Sequence, residues 1–105
     1  MHPLREPRPC NRAINRGKVA TVDRLIHSGV NVNAKTISGA TPLMLATHLG
    51  YTDIAQMLMA AGADIFARDK YGNSALNIAQ RKGFARIVRL VENEIADPRR
   101  SPQGM

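Results

Sequence analysis

Between Thr41 and Gly62 the apolar residues fall into two short helical patterns separated by a glycine. Pro42-Leu43-Met44-Leu45-Ala46 opens directly after Thr41. A threonine hydroxyl there can accept from the first free N–H groups of a helix, and a proline suits the first turn because its missing N–H has no partner in that position. The pattern predicts a helix over 42–49. Gly50 supplies the left-handed residue that ends it, and Ile54, Ala55, Leu58 and Met59 then share one helical face, predicting a second helix over 52–61 that Gly62 stops. From Ala63 to Asn73 the chain turns polar and carries Gly72, as a projecting turn before the next helix requires.

The same punctuation recurs along the chain. Gly17, Gly50 and Gly83 are spaced by 33 residues, as are Ala13, Ala46 and Ala79, and Leu25, Leu58 and Val91. Val22, Ala55 and Val88 keep that interval, and so do the pairs Gly29 and Gly62, Gly39 and Gly72, and Asn31 and Asp64. Chemically distinct positions recurring at one period mark a repeat architecture. In the third unit Ser74-Ala75-Leu76-Asn77-Ile78-Ala79 keeps the apolar spacing without the proline, and a helix over 84–96 follows, ended by Asp97-Pro98. The first unit departs more: Arg8-Pro9-Cys10-Asn11-Arg12-Ala13 aligns with Thr41 to Ala46, and Glu6 takes the place of Gly39.

Gly39-Ala40-Thr41-Pro42-Leu43-Met44-Leu45-Ala46, then Gly50-Tyr51, the run from Ile54 to Leu58, and Gly62-Ala63-Asp64 together resemble the ankyrin repeat. That resemblance covers Pro9 to Ile95 and implies an all-α solenoid of stacked helix-turn-helix pairs with short β-hairpin-like fingers. It divides the chain into a disordered segment 1–7, a repeat domain 8–97 and a disordered basic tail 98–105. The units are 8–35, an N-terminal cap without a finger, then 36–68, then 69–97, a C-terminal cap. A single such helix pair cannot bury its apolar face, so about three are the least that fold. Met44 stands where the family carries a histidine that ties adjacent fingers. Phe66 matches Asn33 one unit earlier and is expected to pack.

At 105 residues the chain has room for one domain, and 44% hydrophobic with 22% charged residues is ordinary globular usage. Aromatic residues are only 4%, which leaves an aliphatic core and few base-stacking platforms. No apolar run reaches the roughly 18 residues of a spanning helix, and the first residues have no apolar stretch of a signal peptide. A soluble, monomeric, cytoplasmic protein is expected. One cysteine, Cys10, cannot make an intramolecular disulfide, and its alignment with Leu43 and Leu76 makes it a buried, inert thiol.

Chemistry is sparse. His2, His27 and His48 are not spaced as metal ligands, and Asp23 with His27, four apart, read as a solvated helix pair. Met57 and Met59 read as gap-filling core or surface residues. No phosphate-cradling glycine loop or nucleophile elbow occurs. No enzyme activity, cofactor or metal is expected.

Fifteen Lys and Arg against eight Asp and Glu leave a net charge of +7, which draws the molecule toward anionic partners. The positions that the resemblance implies for recognition are finger residues and the ends of the first helices. In this sequence they are Asn15 and Arg16, then Lys35, Ile37, Ser38, Ala40, His48 and Leu49, then Arg68, Lys70, Tyr71, Asn73, Arg81 and Lys82. Six of these fourteen are Lys or Arg and none is acidic, while Asp23, Asp53, Glu92 and Glu94 fall on the second helices. The reading that follows is a protein-interaction module whose basic concave face holds an acidic protein partner. Nucleic-acid association, which a sequence pI of about 10.5 also suits, and blockade of an enzyme through the same face are the alternatives.

Overall fold

The computed structural model describes Ile14 and residues 16–96. Among them are five helices: α1 (Val19–His27), α2 (Pro42–Leu49), α3 (Thr52–Ala60), α4 (Ala75–Lys82) and α5 (Ala85–Ala96). Helices α2 and α3 pack as a pair, as do α4 and α5; α2 stacks on α4, and α3 lies between α1 and α5. No strand occurs among the described residues. The expectations for Cys10, Asn15, Asp97-Pro98, residues 1–7 and residues 98–105 lie outside the described residues.

Local chemistry sets the boundaries. Thr41 accepts at its hydroxyl from the Met44 N–H at 3.3 Å, and Pro42 opens α2, which ends at Gly50 with φ of 76°. Ser74 does the same for α4 and closes a reciprocal cap, its N–H donating to Asn77 Oδ1 at 3.2 Å. Met44 offers no such acceptor, so α2 is capped in one direction only. The second helix of the middle unit ends at Ala60 and that of the third unit starts at Ala85, each one residue inside the expected bounds.

The core is one aliphatic seam through the stack. Ile14, Val22, Leu43, Ala46, Ile54, Leu58, Ile87 and Val91 are essentially inaccessible, and Met44 and Met59 join them. Met57 is half-buried at its edge. Two aromatic rings lock unit to unit: Tyr51 lies against Gly17 and Phe84 against Gly50, so close that a Cβ on either glycine would stand 3.2 or 3.1 Å from ring carbon. Phe66 corrects an expectation, for it is 43% exposed. The inward position of that segment is Ile65, as Val32 is one unit earlier, and the next side chain in an extended stretch turns the other way.

Candidate partner-binding surface of fingers and inner helix ends

Each finger is a tight turn closed on itself by one polar side chain. In the first, the Thr36 N–H donates to Ala40 O at 2.9 Å and the Thr36 hydroxyl accepts from the Ala40 N–H at 3.2 Å. In the second, the Asp69 N–H donates to Asn73 O at 3.0 Å, and Asp69 Oδ1 accepts from the N–H groups of Tyr71 and Asn73, both at 2.9 Å. Thr36 and Asp69 are 33 residues apart and do the same work. Asp69 was not among the expected recognition residues. Its signal in the sequence is an aspartate two residues before Tyr71 and just ahead of Gly72, the pattern of a side chain that mimics a backbone turn.

The carboxyl of Asp69 is held below its ordinary 3.8. The Asn73 backbone N–H is the main cause, helped by the Tyr71 N–H and the Asn73 side chain; desolvation opposes them. His48 is exposed near the end of α2. Asp69 also places one acidic group between Arg68 and Lys70, which amends the expectation of a surface free of acid, although its oxygen is turned to its own backbone.

The two fingers are joined directly, the Lys70 N–H donating to Ser38 O at 2.9 Å. A second strut lies at their base, where Asn33 Oδ1 accepts from the Asp64 N–H at 2.6 Å and Asn33 Nδ2 reaches Gly62 O at 3.4 Å. These bonds hold adjacent units where Met44, now buried in the core, replaces the family's histidine.

The second finger gathers five of the fourteen expected residues, Arg68, Lys70, Tyr71 and Asn73 with Arg81 reaching in from α4. Arg68 Nη1 donates to Gly72 O at 2.9 Å, and Arg81 Nη2 reaches from α4 to Asn73 Oδ1 at 3.0 Å. Lys70 Nζ lies 5.3 Å from the centre of the Tyr71 ring, within cation–π range. Tyr71 is 72% exposed, Ile37 at the first tip is fully exposed and Leu49 at the end of α2 is 41% exposed. Lys35 is exposed and Ser38 and Ala40 half-buried on the first finger; Lys82 is exposed at the end of α4. Arg16 stands apart, exposed in the turn before Gly17, with no hydrogen bond or ion pair to the other candidates among the described residues.

On the other side, Asp23 and His27 are exposed on α1, with His27 Nδ1 3.4 Å from Asp23 Oδ1 and 2.8 Å from the Asp23 carbonyl oxygen. Asp53 and Glu92 are exposed there and Glu94 half-buried, but so are Arg24, Arg86 and Arg89 exposed, so the outer helices carry both signs. Among the described residues no group of three or more His, Cys, Asp or Glu could hold a metal, and no helix is long and apolar enough to cross a membrane.

Comparison with known proteins places this geometry in a family. The model for ankyrin repeats matches residues 10–101 in three copies. The chain is 34% identical over 80 residues to the potassium channel GORK of Arabidopsis thaliana, spanning 76% of this chain and 10% of the channel. It is 35% identical over 79 residues to the ankyrin repeat and KH domain-containing protein mask-1 of Caenorhabditis elegans, 73% of this chain and 3% of that one. With the ankyrin repeat protein YahD of Escherichia coli (strain K12) it shares 34% over 85 residues, 75% of this chain and 42% of YahD. The chain therefore spans less than half the length of these relatives.

Proposed function

The chain belongs to the ankyrin-repeat family, and from that premise we propose that it is a non-catalytic cytoplasmic module that holds an acidic protein partner against its basic concave face. The observation that carries this reading is the pair of fingers. They are hydrogen-bonded to each other and braced on α4, so the backbone that carries the fully exposed Ile37 and the Tyr71 ring is already ordered and little of its freedom remains to be lost on binding. Apolar groups held this way serve as anchors, while Lys35, Arg68, Lys70, Arg81 and Lys82 steer an acidic surface and fix its register.

The test compares proteins captured from a cell lysate by the wild type and by the Arg81→Glu, Lys82→Glu variant. A protein partner with an acidic surface, retained by the first and lost by the second, supports the reading. Equal capture by both, or displacement of the partner by random DNA at physiological salt, sinks it.

A further inference from the structure

The finger junction inside this molecule is a backbone-to-backbone contact with two parts. Ser38 O accepts the Lys70 N–H at 2.9 Å, and Gly39 lets the second finger come so near that a Cβ there would stand 3.2 Å from both Asp69 Cα and Lys70 N. The repeat places the same two parts one unit on, at Tyr71 and Gly72. Gly72 has the same φ as Gly39, +82°, yet among the described residues a Cβ on it would meet nothing within 4 Å and Tyr71 O accepts no hydrogen bond. Among the described residues the second finger thus presents an acceptor beside a bare Cα.

What the helices present at that end is different. Met44, Thr47 and Met59 are buried in the middle unit, whereas their equivalents in the third are Asn77, half-buried, and Gln80 and Glu92, exposed. A helix pair packing there would bury those polar groups without partners, at a cost that apolar equivalents avoid. The end face suits a loop. Its rim is basic: Arg68 spends one N–H on Gly72 O and keeps others, and Lys70 stands over the Tyr71 ring.

We infer that the open edge of the second finger is a half-site for one turn of a partner protein, docked as the second finger docks on the first. The occupying turn places an Asp-like residue against Gly72, gives the next backbone N–H to Tyr71 O, and carries acidic side chains toward Arg68 and Lys70. Such addition of backbone to an unpaired edge gives affinity through main-chain bonds and specificity through flanking side chains. This rests on the protein-interaction reading above and adds which part of the partner the finger edge takes.

The probe is a head-to-tail cyclised peptide copying residues 68–73 with Arg68→Glu and Lys70→Glu, titrated into the ¹⁵N-labelled full chain. The expected result is movement of the Tyr71, Gly72 and Asn73 amide signals. Binding should fall about tenfold or more when the peptide is N-methylated at the residue copying Lys70, or when the protein carries Gly72→Asn, an asparagine tolerating positive φ while adding a Cβ. Arg24→Glu, exposed on α1 away from the finger edge, should change the peptide affinity by no more than about twofold. No movement at Gly72, or equal binding by the N-methylated peptide, overturns the inference whether or not Gly72→Asn folds. Movement confined to His48, Leu49, Arg81 and Lys82 overturns it and leaves the concave-face reading standing. Edge binding that persists while lysate capture is blind to Arg81→Glu, Lys82→Glu sinks the concave-face reading alone.

Discussion

Gly39 and Gly72 share a φ of +82° but not a neighbourhood, and the difference isolates what close packing is worth at a single residue. Asparagine tolerates this conformation at both, so the backbone term nearly cancels between Gly39→Asn and Gly72→Asn. Only at Gly39 must the Asp69–Lys70 backbone give way. The Gly39 variant should be less stable than the Gly72 variant by about 1–3 kcal/mol in urea melts. Equal midpoints would show that the finger contact is soft. Asp69 adds a pH-dependent element. Its carboxyl is held below 3.8 by native hydrogen bonds, so its stabilisation is present above the unfolded value and is lost as pH falls through the lower folded value. The Tyr71 and Asn73 amides should lose protection from hydrogen exchange in that acid window, and Asp69→Ala should show the same loss at neutral pH. A finger as protected in Asp69→Ala as in the wild type would remove the carboxylate from this role.

At the scale of the element, α3 bears the most. It packs on its own partner α2 and on the second helices to either side, with Ile54, Ala55, Leu58 and Met59 all buried. Leu58→Ala removes a fully buried side chain whose surroundings are held on three sides, and should cost about 2–5 kcal/mol. A denaturant midpoint close to that of the wild type would place the core elsewhere. Helix α4 depends more on its ends, because it carries Gln80, Arg81 and Lys82 on exposed positions and is started by the Ser74–Asn77 cap. Ser74→Ala should cost about 1 kcal/mol, and the loss would free Arg81 and Asn73 to move together.

Across the whole molecule, three units sharing one seam should unfold in a single transition of about 5 kcal/mol or less, because each unit contacts only its neighbours and none buries its face alone. For binding, the same basic residues would behave differently with different partners. A nucleic acid neutralises many phosphates, and log affinity then falls steeply with log salt, whereas a protein held by Ile37 and Tyr71 with charges at its rim gives a shallow slope. The shallow slope is expected, with Tyr71→Ala weakening the complex by about 1–3 kcal/mol through faster dissociation and Lys82→Ala slowing association. A steep slope in a titration with the captured partner would contradict this.

The sequence by itself determined the boundaries of α2 and α4 and the unit length, because Thr41, Pro42, Gly50, Ser74 and Gly83 act through bonds and dihedrals that reach no further than four residues. It also put polar Asn77, Gln80 and Glu92 at the period of Met44, Thr47 and Met59, but the burial of those three was decided by the structure. Only the tertiary structure decided that Phe66 is exposed beside buried Ile65, that Asn33 and Ser38 replace the missing histidine as struts, and that Arg81 braces the second finger through Asn73. Those outcomes depend on what the neighbouring unit presents across the junction. Asn33 meets Asp64 across 31 residues of chain, and periodicity says only that two units stack, not which atoms meet when they do.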